Sequence, residues 1–149
     1  MELEHQLQMN IPQINARGHA YLEELESVDN AFPYSVINPN DERSETWEEE
    51  RQIYGFDNTE TWDLRSSFYA WLYEHLRMYI DTSSEIVDLE FHTFEWHGRK
   101  YTQLEIINMI LERIGFFFCE EYDGFEESHL NYISEVEELW ALVLPAMWW

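Results

Sequence analysis

The chain has 149 residues and carries 31 Asp and Glu against 8 Lys and Arg, a formal net charge of -23. A field of that sign repels phosphate backbones and anionic lipid and draws basic surfaces in at long range, so direct binding to nucleic acid or to a membrane surface is excluded as a leading function. Aromatic residues make up 17% of the chain, 7 of them Trp, enough apolar surface to offset the entropy lost on folding one domain.

The single cysteine, Cys119, rules out an internal disulfide. With no leader-like start and no apolar run of spanning length, the sequence reads as a soluble intracellular protein. One domain is expected over residues 1–149, with 44–149 as its core and 1–43 as a loosely packed N-terminal segment.

In chain order, Ile14, Tyr21, Leu22, Leu25 and Val28 recur at helical intervals after Pro12, which predicts a short amphipathic helix ending near Asp29-Asn30. Pro33, Asn38, Pro39 and Asn40 break regular structure, so Ala31 to Asp41 reads as a surface connection. Ser44 to Tyr54 reads as a short helix capped by Ser44, with Trp47 and Ile53 inward and Glu48-Glu49-Glu50 outward. A glycine turn at Gly55 then feeds the central helix. Glu60 and Asp63 are expected in its first turn, with Asn58, Thr59 or Thr61 as its cap, and its apolar face runs through Leu64, Phe68, Trp71, Leu72, Leu76 and Tyr79.

After a loop at Asp81-Thr82-Ser83-Ser84 the period changes. Val87, Leu89 and Phe91 alternate with polar residues, Phe94 and Trp96 continue the apolar set, and His97-Gly98 supplies a turn, which together predict a β-hairpin near 86–101. Thr102-Gln103-Leu104-Glu105 is a capping box opening a helix whose apolar face holds Leu104, Ile107, Ile110, Leu111, Ile114, Phe117 and Phe118. That helix is expected to stop at Tyr122-Asp123-Gly124, with Gly124 in the left-handed conformation. A last helix runs from about Glu126, with Leu130, Ile133, Val136, Trp140, Val143 and Leu144 inward, until Pro145. The expected fold is mainly α: a compact helical domain of three long helices, one or two short ones and a small β-hairpin.

Gly55-Phe56-Asp57, followed by Thr61-Trp62-Asp63-Leu64, resembles a group of small phage and prophage proteins whose function is undetermined. Their shared pattern is a Gly-aromatic-x-Asp turn, a Thr-Trp-x-Leu helix start, an aromatic-rich helix and a later amphipathic helix, matched here by Tyr101-Thr102-Gln103 and by Met109-Ile110 through Phe117. The resemblance covers about residues 54 to 144 and implies a phage or mobile-element origin, and hence the cytoplasm of a host cell. It implies no reaction.

No catalytic constellation is recognisable. Glu2-x-x-His5 and Glu126-x-x-His129 have the spacing found in di-iron bundles, but such sites need two pairs on long helices plus two further glutamates. His92 and His97 flank Glu95 on opposite faces of the hairpin. His75 falls on the apolar face of the central helix and reads as a core or boundary histidine, and Cys119 as a small buried hydrophobe. No nucleophile elbow, phosphate loop or calcium loop occurs, so the chain is read as a non-enzyme without cofactor or resident metal.

The acidic residues carry the sharpest signal. From Ile114 to Trp149 there is no Lys or Arg, while Glu120, Glu121, Asp123, Glu126, Glu127, Glu135, Glu137 and Glu138 accumulate. Glu120 and Glu121 at a helix C-terminus, and Glu135 and Glu138 one turn apart, run against helix electrostatics. A second patch comprises Asp41, Glu42, Glu45, Glu48, Glu49 and Glu50. The pattern predicts an interaction protein that occupies the basic groove of a nucleic-acid-binding protein as a nucleic-acid mimic, with Trp148 and Trp149 as apolar anchors, and the phage resemblance implies that the target is a host defence enzyme, inhibited in anti-CRISPR or anti-restriction fashion. Two alternatives stand beside it: a phage structural or assembly protein that oligomerises through its apolar terminus, a homodimer among the options, and a divalent-cation-binding protein using Glu120, Glu121 and Asp123.

Overall fold

The computed structural model describes residues 21–25 and 40–148. The expected N-terminal helix lies mostly outside these residues. Of it, Tyr21–Leu25 is described and contains a single 3-10 turn at Leu22–Glu24, and the connection expected before Asp41 lies outside except at its end. The fold is mainly helical with a two-stranded antiparallel hairpin, as expected.

Helix α1 spans Ser44–Tyr54 and closes on Gly55, whose φ of 83° only glycine adopts without strain. Arg43, not Ser44, stands at its cap position, and no side chain caps it. Trp47 is buried, edge-on to Trp62 with ring centroids 5.9 Å apart, and the Arg43 guanidinium covers both rings. Ile53 is exposed instead of inward, because six positions along a helix turn a side chain about 120° away from the Trp47 face.

The central helix, α2, begins later than expected, at Leu64, and runs to Ser83. Asp63 is its cap, accepting from the Ser66 N–H at 3.1 Å and the Ser66 hydroxyl at 2.6 Å. Upstream, Asp57 caps a separate 3-10 turn, Asn58–Thr61, taking the Thr59 N–H at 2.9 Å, the Thr59 hydroxyl and the Arg51 guanidinium at 2.5 Å. Glu60 therefore sits in that turn, buried, and not in the first turn of the helix.

The buried side of α2 matches the expected one only at Leu72 and Leu76. Tyr69, Ala70, Leu72, Tyr73 and Leu76 enter the core, whereas Leu64 and Phe68 face solvent and Trp71 and Tyr79 lie at the boundary. The reason is the three serines on the inward side. Ser66, Ser67 and Ser83 are buried with their hydroxyls given to the Asp63 carboxylate and to the Glu60 and Tyr79 carbonyls, so satisfied polar groups occupy positions that hydropathy alone assigns to water. His75 is likewise on the surface, stacked on Trp71 with centroids 4.0 Å apart and its Nδ1 2.7 Å from the Trp71 carbonyl oxygen.

Strands β1 (Thr93–Trp96) and β2 (Arg99–Thr102) pair in register from Thr93 with Thr102 to Trp96 with Arg99. His97 and Gly98 both have positive φ, 52° and 75°, the two-residue turn whose twist matches a hairpin. The alternating residues Val87, Leu89 and Phe91 form turns rather than a strand. Carbonyls of this segment are otherwise engaged: the Leu89 oxygen takes the Leu104 N–H and the neighbouring His92 oxygen takes the Gln103 N–H, both at 3.0 Å.

Helix α3 spans Gln103–Phe117 and carries the expected capping box, with Glu105 N–H to Thr102 Oγ1 at 3.1 Å and Thr102 N–H to Glu105 Oε1 at 3.0 Å. It ends earlier than expected, where the Cys119 N–H turns to the Phe116 carbonyl three residues back and breaks the helical ladder. Gly124 lies beyond it in a loop and is not left-handed. Cys119 is half-buried. Helix α4, Glu127–Val143, buries Ile133, Val136, Leu139 and Val143 against α3, its principal neighbour. Leu130 is exposed at the open end of α4, and Leu144 is exposed because Pro145 converts the chain to a 3-10 turn, Leu144–Ala146. The core is one cluster in which α3 is the shared element between α2 and α4, closed at one side by Leu22. No helix among the described residues is long and apolar enough to cross a membrane.

Candidate acidic interface

The corner joining α3 to α4 carries Glu120, Glu121, Asp123, Glu126 and Glu127, all exposed. Its backbone is pinned from beneath. Phe118 is buried, the Tyr122 ring packs on Phe117 and Phe116 at centroid distances of 5.1 and 5.9 Å, and the Asp123 N–H donates to His129 Nδ1 at 3.0 Å. His129 is thereby used in shaping the corner, and Glu126 Oε1 accepts from the Ser128 hydroxyl at 3.2 Å rather than turning toward His129. Asp123 Oδ1 takes the Phe125 N–H at 2.9 Å, which rigidifies the loop and leaves its charge on the surface. Among the described residues none of these five carboxylates is in an ion pair.

The other predicted contact residues divide differently. Glu135 is held by Arg113, whose Nε and Nη2 lie 3.1 and 2.8 Å from Glu135 Oε2 while Nη1 reaches the Met109 carbonyl at 2.9 Å. Arg113 is almost fully buried and its guanidinium lies 4.5 Å from the Tyr132 ring centroid and 5.8 Å from that of Trp96. Glu138 approaches His97 at 4.0 Å. Glu137 receives the Tyr69 hydroxyl at 2.6 Å, and burial, reinforced by that bond, pushes the Tyr69 phenol well above its ordinary value.

The second patch is stitched to its own arginines. Asp41 accepts from the Arg43 side chain and its backbone N–H, which holds the carboxyl at about 2. Glu48 meets Arg51 at 2.6 Å and Glu50 takes the Asn58 amide at 2.9 Å, leaving Glu42, Glu45 and Glu49 as its exposed acids. Trp148 is exposed, and Trp149 lies outside the described residues. No group of three or more His, Cys, Asp or Glu among the described residues is placed to hold a metal ion.

The structural roles of Arg113 and Glu137 had no local sequence signal, whereas Asp57 stands at the cap of its own turn, two residues ahead of Thr59. Arg113 lies one residue ahead of the stretch that lacks Lys and Arg and 22 positions from its partner. No family model matches the chain, and neither a curated protein nor a solved structure matches it.

Proposed function

We propose that the chain is a protein-binding module that occupies the basic groove of a nucleic-acid-binding protein in place of the nucleic acid. The observation that carries this reading is the α3–α4 corner, five outward carboxylates on a pinned backbone with no ion pair among the described residues. Grooves that bind a phosphate backbone gain affinity by neutralising a row of charges, and a rigid row of carboxylates addresses the same Lys and Arg side chains. The net charge of -23 adds steering toward such a surface. The resemblance to phage and prophage proteins supports a finer version, in which the target is a host defence nuclease of CRISPR or restriction type.

The test is affinity capture with the tagged chain from cells expressing representative defence nucleases, washed at low and then at raised salt. Recovery of a basic nucleic-acid-binding protein that DNA or RNA competes away supports the reading. Lysine substitution at Glu120, Glu121, Asp123, Glu126 and Glu127 is then expected to abolish capture with the fold intact, while the same change at Glu42, Glu45 and Glu49 weakens it only through net charge. Capture that survives corner reversal refutes the corner as the contact. Recovery of the chain alone, persisting at high salt, supports self-assembly instead.

A further inference from the structure

A groove of about 630 Å³ lies at the opposite end of α3 from the acidic corner, between the end of α2, the turns that precede β1 and the 3-10 turn after α4. Its size is that of a ligand pocket and not of a packing defect. Two large aromatic side chains that line it, Phe91 and Trp148, are 75% and 78% exposed. Its floor is polar. Gln103, 2% exposed, reaches the Tyr79 hydroxyl at 3.4 Å, and both side chains line the space. Asp88 stands on the wall, fixed by accepting the Glu90 N–H at 2.9 Å through Oδ1. Neither Lys nor Arg lines the groove.

We propose that this groove receives an arginine side chain of the basic partner, an inference that rests on the partner chemistry argued above. The aromatic and polar side chains of the lining favour that group. A guanidinium is planar and weakly hydrated, so it stacks on an exposed aromatic face more readily than a compact ammonium does. Its fork of donors suits the Asp88 carboxylate and the acceptor oxygens of Gln103 and Tyr79. A hydrocarbon side chain would cover the aromatic rings but take water from the Asp88 carboxylate without replacing it, and an acidic group would meet that carboxylate. The 15 residues of α3 separate the groove from the acidic corner by about 22 Å, so the groove is a second anchor point and not an extension of the corner.

The experiment titrates the chain alone with N-acetyl-arginine methylamide, followed by NMR of the Trp148 indole N–H and the Gln103 side-chain amide. The citrulline analogue, uncharged and of the same shape, and the lysine analogue serve as comparisons. The expected result is saturable shifts at both probes, with citrulline binding about tenfold or more weakly and lysine intermediate. Asp88→Asn and Phe91→Ala, both at exposed positions and checked by thermal melting, are each expected to weaken the arginine response severalfold. Non-saturating shifts spread over surface carboxylates, equal responses to arginine and citrulline, or variants that bind arginine like the wild type would overturn the proposal. Because no partner protein is used, a failure here with corner-dependent capture intact removes only the groove. Loss of corner dependence with the arginine titration intact removes only the occlusion reading.

Discussion

Replacing Arg113 by methionine tests the division of the carboxylates into structural and outward-facing sets. The guanidinium is almost fully buried, donates two hydrogen bonds to Glu135 and one to the Met109 carbonyl, and packs on Tyr132 and Trp96. Removing one member of a buried pair costs about 3–5 kcal/mol, because the remaining charge stays desolvated. Glu135 keeps about a quarter of its side chain exposed and can rehydrate in part, which brings the expectation to the lower end, about 2–3 kcal/mol. For a chain of this size that is a fall in Tm of about 5–12 °C, or an equivalent shift of the urea midpoint at unchanged slope. Adding Glu135→Leu removes the stranded carboxylate, and the double variant is expected to recover at least half of the loss. An Arg113→Met chain that melts within about 2 °C of wild type, or a double variant no more stable than the single, would refute the structural assignment of Glu135 and return it to the partner-facing set.

Asp63→Ala removes the side-chain cap of α2 and is expected to cost about 1 kcal/mol by chemical denaturation, with Asp63→Asn costing less because the amide oxygen still accepts from Ser66. Burial opposes the Asp63 charge, but the Ser66 side-chain and backbone hydrogen bonds outweigh it and hold the carboxyl below its ordinary value. A depressed carboxyl contributes stability above the ordinary carboxylate value that is lost as pH falls through the folded one. The gap in Tm between wild type and Asp63→Asn should therefore be full at pH 6 and close below about pH 4, and a gap constant down to about pH 2 would contradict that sign. Raising NaCl to about 0.5 M at neutral pH is expected to raise Tm, since the self-repulsion of a chain at -23 is screened; a fall would show that attractive pairs dominate its electrostatics.

The helices and the hairpin turn were legible in the sequence where local chemistry decides them. The Thr102–Glu105 capping box, His97-Gly98 and the inward stripe of α3 all act within a few residues. Errors arose where a distant or backbone partner overrides hydropathy. Ser66, Ser67 and Ser83 go inward because carbonyls and a carboxylate are waiting for their hydroxyls, which releases Leu64 and Phe68 to the surface. Residues 87–91 alternate like a strand, but the Leu89 carbonyl is taken by the start of α3 and the Asp88 carbonyl by a local turn to Phe91. The acidic set was visible as composition, yet sequence could not sort it, because Glu135 finds its arginine and Glu137 its tyrosine across the packed helices.

The same geometry divides the acidic corner by helix electrostatics. Glu126 and Glu127 stand at the start of α4, where the positive end of the helix dipole favours carboxylates, so local stability accounts for them. Glu120 and Glu121 follow the C-terminal end of α3, where anions are disfavoured by about 0.3–1 kcal/mol each at low salt. Only this second pair calls for a reason outside the fold. Glu120→Lys with Glu121→Lys should then raise stability by about 0.5–2 kcal/mol, while Glu126→Lys with Glu127→Lys should lower it, although both pairs change net charge equally. If the corner contacts a basic partner, the first variant will be more stable and bind less well, the trade-off expected where side chains are kept for binding against the interests of the fold. Equal stability changes for the two pairs, measured by urea denaturation at low salt, would show that net charge alone decides and would leave Glu120 and Glu121 without that significance.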